Sequence, residues 1–157
     1  MTTIFTVFLL IVFAVVANFL MVLLLNLAGF PGALAAGKPG QRSRARFRAG
    51  SLIAALGQSL VYLGYVAFLV NWTNLAISIQ GVSVVAWPIA FLAVMVPIYL
   101  NLIRARLEAR EANFANPQVE ALHITTLVAL IAFFVFAFLP NTIEPVYGWV
   151  PYVQAGE

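Results

Sequence analysis

The chain is 157 residues long, 64% hydrophobic and 8% charged, with a net charge of +3 and no cysteine. Soluble domains carry about 25% charged residues, so this composition excludes an ordinary soluble fold. The missing thiols exclude disulfides, thiolate metal sites and cysteine nucleophiles. The positive balance is not a nucleic-acid signal, because every Lys and Arg sits in a short segment between apolar runs.

Four such runs, near residues 4–29, 51–70, 82–103 and 122–139, match or approach the ~20 residues a helix needs to cross hydrocarbon. None shows the polar face of a soluble bundle helix. The expected fold is an all-α integral membrane protein, a single domain over 1–157 whose four transmembrane helices form an up-down bundle. The start of the chain, Met1 to Phe5, lacks a basic n-region, so the first run is expected to be a retained helix.

Helix one, about 4–29, is apolar on all sides except for Asn18 and Asn26, which share a face at eight-residue spacing and suit helix packing. Gly29-Phe30-Pro31-Gly32 is expected to stop it. The loop that follows, 30–50, holds five of the eight basic residues: Lys38, Arg42, Arg44, Arg46 and Arg48. Their main expected role is to orient the chain, with contact to anionic lipid as a second one.

Helix two, about 51–70, carries two readable faces. Gly50, Gly57 and Gly64 recur every seven residues with Ala54 on the same side, a small-residue seam for close helix approach. Gln58, Tyr62 and Tyr65 follow i, i+4, i+7 spacing above Ser51 and form a polar face. That face suits an interhelical hydrogen-bond ladder, a polar cavity floor or a headgroup contact. Asn71-Trp72-Thr73-Asn74 marks the far interface, and its formal match to a glycosylation acceptor carries no weight beside a membrane. Whether the stretch to Gln80 continues the helix or lies along the interface is left open by its periodicity.

Helix three, about 82–103, contains Pro88 near its start and Pro97 inside, where a kink is expected. It is expected to run on into water through Arg104, Arg106, Glu108 and Arg110 as the second basic loop, 104–121, with Arg104 and Glu108 as an i, i+4 pair. Asn116-Pro117 opens helix four, about 122–139, with Glu120 in its first turn. Residues 140–157, with Tyr147, Trp149 and Tyr152 among prolines, read as an irregular aromatic tail on the outer surface.

Four crossings put both basic loops on one side. The positive-inside rule makes that side cytoplasmic and both termini outer, with Trp72, Trp87 and Trp149 toward the outer face. The membrane expected is a bacterial inner (plasma) membrane.

No run has Asp, Glu, Lys or Arg in its middle, which weighs against a proton relay or voltage sensor within the chain. His123, at the start of helix four, is the one conceivable haem or pigment ligand, but a boundary polar residue is the simpler account. No cofactor, metal or catalytic set is expected.

Length, four crossings, outer termini and a long basic first loop make the architecture resemble that of the membrane-associated eicosanoid and glutathione metabolism proteins. Those are trimeric enzymes whose second helix opens with an Arg…Asn…Glu pattern used with glutathione. Here Arg48 is followed by Ala49-Gly50-Ser51-Leu52-Ile53-Ala54-Ala55, with neither Asn nor Glu, so the resemblance is architectural. The leading expectation is a non-catalytic accessory or scaffold subunit of a larger integral-membrane complex, in contact with lipids and with other subunits or its own copies. The alternatives are a glutathione-using oligomeric transferase near Arg48, Gln58, Tyr62 and Tyr65, or a small pore or lipid-binding protein using the Gln58–Tyr65 face.

Overall fold

The computed structural model describes residues 2–80, 83–112 and 116–138. Among them the chain forms four helices and no strand: α1 (Thr2–Ala36), α2 (Arg44–Gln80), α3 (Ser83–Ala112) and α4 (Pro117–Phe138). Each is long and apolar enough to cross a membrane. In hydrocarbon every backbone N–H and C=O must be satisfied within the segment, and runs of this composition can do so only as helices. The expected tail at 140–157, including Trp149, lies outside the described residues.

Every pair of helices is in contact, α1 with α2 and α2 with α4 most extensively. The core between them is apolar: Leu25 of α1, Val66 and Val70 of α2, Val94 and Ile98 of α3, and Phe133 of α4 are among its buried residues. The outside is apolar as well. Phe19 is 77% exposed, and Leu23, Leu52, Leu60, Leu127 and Phe138 are exposed with it. A water-facing surface of this kind would aggregate; it is the surface that helices long and apolar enough to cross a membrane present. α1 is the least buried of the four.

The helices run longer than the apolar runs implied. Gly29-Phe30-Pro31-Gly32 does not stop α1, which continues to Ala36. The reason is that the two glycines serve packing. A Cβ on Gly32 would meet the Gly50 carbonyl and come within 2.5 Å of Ala54, and one on Gly29 would come within 2.6 Å of Gln58 Nε2. Pro31 is exposed, and a proline on a spanning helix removes one hydrogen bond without ending it. The stop comes at Gly37, whose φ of 81° is left-handed and whose N–H donates to Leu34 O at 3.1 Å.

The 30–50 loop is correspondingly short. Lys38-Pro39-Gly40 turns the chain, with Gly40 at φ 83°, and Arg42 Nε donates to Gly37 O at 2.7 Å. Ser43 then caps α2, its Oγ accepting from the Arg46 N–H at 3.2 Å. Arg44, Arg46 and Arg48 are therefore borne on a helix, and α2 starts seven residues before the expected Ser51. At its other end α2 stays helical through Trp72 to Gln80. α3 likewise runs on through Arg104, Arg106 and Arg110 to Ala112. α4 opens at Pro117, with Asn116 Oδ1 accepting from the Gln118 N–H at 2.9 Å.

Contacts fix how the helices lie beside one another. Gly32 faces Gly50 and Ala28 faces Gly57, while Phe13 sits against Phe68 and Trp72 with ring centroids 5.6 and 5.4 Å apart. Residue numbers thus rise along α1 as they fall along α2. Between α3 and α4, Trp87 and Phe91 meet Phe133 edge-on.

Candidate functional site

The polar face of α2 is the chain's best candidate for chemistry, so where its side chains point decides much. All lie inside the protein or bond to their own helix. Ser51 is buried and its Oγ donates to Phe47 O at 3.0 Å. Gln58 is 1% exposed, and its Oε1 lies 3.0 Å from the Thr125 hydroxyl of α4. The same hydroxyl is 3.0 Å from Ala121 O, so its one proton is shared between the two acceptors. Gly29 makes room for the Gln58 amide on the α1 side.

Tyr62 and Tyr65 reach from α2 to α3. Tyr62 OH donates to Val94 O at 2.8 Å and Tyr65 OH to Ala93 O at 2.9 Å. Their rings meet edge to face, 5.5 Å apart at 70°. Ala93 is the residue whose carbonyl would accept from position 97 in a regular helix, and position 97 is a proline with no N–H to give. Tyr65 supplies the donor that Pro97 removes. Tyr65 is thus a clamp on the interior proline of α3, a relation that spacing along α2 alone did not reveal. The readable signal was the carbonyl four residues before an interior proline, which in hydrocarbon needs a donor from elsewhere.

A second polar group joins α1 to α3. Asn26 Nδ2 donates to Val22 O at 2.9 Å, and Asn26 Oδ1 accepts from the Arg104 guanidinium. Arg104 Nε also lies 3.5 Å from a Glu108 carboxylate oxygen, on side chains about half exposed. Such a pair adds little to stability. Asn101, 2% exposed, spans the seam by donating to Pro97 O at 3.1 Å and Val22 O at 3.2 Å. Its Oδ1 is buried without a partner, as is that of Asn18, whose Nδ2 donates to Ala14 O at 2.7 Å. Asn101 belongs to this group although nothing in its spacing on α3 marked it.

The small-residue seam has two halves. Gly50 would place a Cβ 2.5 Å from Gly32 O and 2.7 Å from Ala36 Cβ, and Gly57 one 2.5 Å from Ala28 O. Ala54 is fully buried against the same stretch of α1. The partner residues are therefore Ala28, Gly29, Gly32 and Ala36, the two glycines among them read from the sequence as part of a helix stop. Gly64 is half-buried farther along α2.

His123 is exposed, with Nδ1 3.0 Å from Val119 O. Among the described residues His, Cys, Asp and Glu nowhere gather in threes that could hold a metal ion. Arg44, Arg46 and Arg48 are exposed on the first turns of α2, Lys38 is exposed in the turn, and Arg42 is partly covered there. Arg106 is exposed on α3, with Arg110 one turn on. Arg48 lies ten residues, about 15 Å of helix, before the buried Gln58. No protein-family model, curated protein or solved structure matches this chain.

Proposed function

We propose that the chain is a non-catalytic structural subunit of a larger integral-membrane assembly. The observation that carries this reading is the engagement of the α2 polar face: Gln58, Tyr62 and Tyr65 are spent on Thr125, Val94 and Ala93. A reactive or conducting site needs groups free to meet a substrate or ion. These side chains instead tie α2 to α3 and α4, which favours a scaffold over a transferase or a pore built on the same residues. Arg48, exposed at the start of α2, stands apart from them.

In this reading the bundle crosses up and down a bacterial inner membrane, with Lys38 to Arg48 and Arg104 to Arg110 cytoplasmic and both termini outside. Its support is the positive-inside rule together with the Arg104–Asn26 bond, which joins the α3 basic segment to the half of α1 nearest the basic turn. The chain has no cysteine, so a single Gln41→Cys in the turn can be labelled cleanly. Labelling of intact cells by a membrane-impermeant maleimide reverses the orientation.

The subunit role is tested by mild detergent extraction from native membranes, followed by identification of co-purifying chains after cross-linking. A defined partner chain in constant ratio is the expected result. A monodisperse monomer, free of any partner under every mild condition, defeats the proposal.

A further inference from the structure

A groove between α3 and α4 remains unused by any of these contacts. It has a volume of about 290 Å³ and is lined by Met95, Val96, Ile98, Tyr99, Leu102 and Thr126. Its walls are apolar. The hydroxyl of Thr126 donates to Leu122 O at 2.7 Å, leaving no unmet polar demand from that residue. Tyr99 is 62% exposed, so the groove opens sideways to the surroundings of the bundle.

Helical geometry extends this groove toward charge. At 100° per residue, Arg106 lies seven positions beyond Tyr99 and falls on the same face of α3 as Met95, Tyr99 and Leu102. Arg104, on the opposite face, is taken up by Asn26 and Glu108. Arg106 is exposed and has no partner among the described residues. Across the groove on α4, exposed His123 is one turn from Thr126. Phe133 packs on Phe91 while Thr126 shares the groove with Met95, Tyr99 and Leu102, so falling α4 numbers accompany rising α3 numbers, and His123 lies toward the Arg106 end.

We propose that this groove holds one anionic phospholipid, with an acyl chain along Met95, Tyr99 and Leu102 and its phosphate on Arg106. An apolar slot near 300 Å³ with polar groups one to two turns beyond it on both helices has the form of a ligand site. The occupant follows from the surroundings: a sideways opening in a membrane-spanning bundle faces acyl chains, and an exposed guanidinium farther along the same face of α3 selects a negative headgroup. The inference rests on the helices crossing a membrane. It does not rest on the subunit role, which the partner search tests separately.

The test is native mass spectrometry of the full chain in detergent, titrated with phosphatidylglycerol and with phosphatidylcholine of matched acyl chains. One phosphatidylglycerol is expected to bind at least about fivefold more tightly than phosphatidylcholine, since one basic residue near a headgroup contributes roughly 1 kcal/mol. Arg106→Gln, an exposed change, removes that preference, while Arg44→Gln on α2 leaves it intact. Val96→Trp fills the groove and weakens both lipids alike. Thr126→Phe does the same from the opposite wall, each read only where circular dichroism shows native helix content. Headgroup preference that survives Arg106→Gln, or that falls as much with Arg44→Gln, overturns the proposal. So does displacement of phosphatidylglycerol by millimolar inorganic phosphate, which would make the ligand a soluble anion.

Discussion

The link between Tyr65 and Pro97 makes a sharp prediction because it concerns one carbonyl and two ways of satisfying it. In the native chain Ala93 O accepts from Tyr65 OH at 2.9 Å, and Pro97 has no N–H to offer. Tyr65→Phe therefore leaves that carbonyl without a donor in a water-poor interior. An unsatisfied buried acceptor costs about 1–3 kcal/mol, and interhelical hydrogen bonds measured in membrane proteins average about 0.6 with a maximum near 1.7 kcal/mol. The expected loss is about 1–1.5 kcal/mol. In a Pro97→Ala background the helix supplies its own N–H to Ala93 O, so Tyr65→Phe is expected to cost less than about 0.5 kcal/mol. The coupling energy is then near 1 kcal/mol. Tyr62 is the internal control: its acceptor, Val94 O, faces position 98, an isoleucine with an N–H. Tyr62→Phe should show little coupling to Pro97→Ala. Reversible unfolding in mixed detergent micelles, followed by far-UV circular dichroism, measures all the corners of both cycles. Equal coupling for the two tyrosines, or none for Tyr65, refutes the clamp.

Three further outcomes follow from the seams. Gly32→Val forces a side chain onto the Gly50 carbonyl and Ala54, backbone and methyl groups that cannot swing away. It is expected to cost about 3 kcal/mol or more, against about 1–2 for Gly37→Ala, where only the left-handed φ is at stake; micelle unfolding separates the two. Thr125→Val removes the hydroxyl proton from Gln58 Oε1 and should cost about 1–3 kcal/mol, whereas the Gln58→Leu, Thr125→Val pair should be less destabilised than Thr125→Val alone; thermal melting in detergent ranks them. Asn101→Leu deletes an amide whose Oδ1 is unpartnered, and Val22 O keeps its bond from Asn26. Its loss of stability is expected to stay below about 1 kcal/mol in the same unfolding assay.

Four helices were legible because composition alone forces them: where side chains are apolar all round, the backbone has no water to turn to and closes on itself. Their ends were harder to read, for the same reason. Gly29-Phe30-Pro31-Gly32 is a stop signal only where the freed backbone groups can reach water or a turn. Within the bundle the glycines are instead places where α2 comes close, and α1 goes on to Ala36. The Gly50, Ala54 and Gly57 stripe was readable because it repeats on one helix. Its complement on α1 was not, since Gly29 and Gly32 look like chain punctuation, and Ala28 and Ala36 like ordinary helix, until the two helices are laid side by side. Arg104 with Asn26 lies further out of reach, because pairing residues 78 positions apart requires the register of α1 against α3.

Three interior polar side chains share a pattern that bears on function. Tyr65 meets the carbonyl orphaned by Pro97, Gln58 occupies the space left by Gly29, and Asn101 bridges from the Pro97 carbonyl to α1. Each stands beside a proline or glycine, where the regular helix surface is broken and a neighbouring helix can be engaged. At these three positions polarity is thus tied to a proline or glycine and used to hold helices in register. In the proposed subunit role, contact with a partner falls to the surfaces left over. Among the described residues these are the apolar exterior, the exposed arginines at the ends of α2 and α3, and the α3–α4 groove, with Arg106 farther along the same face of α3.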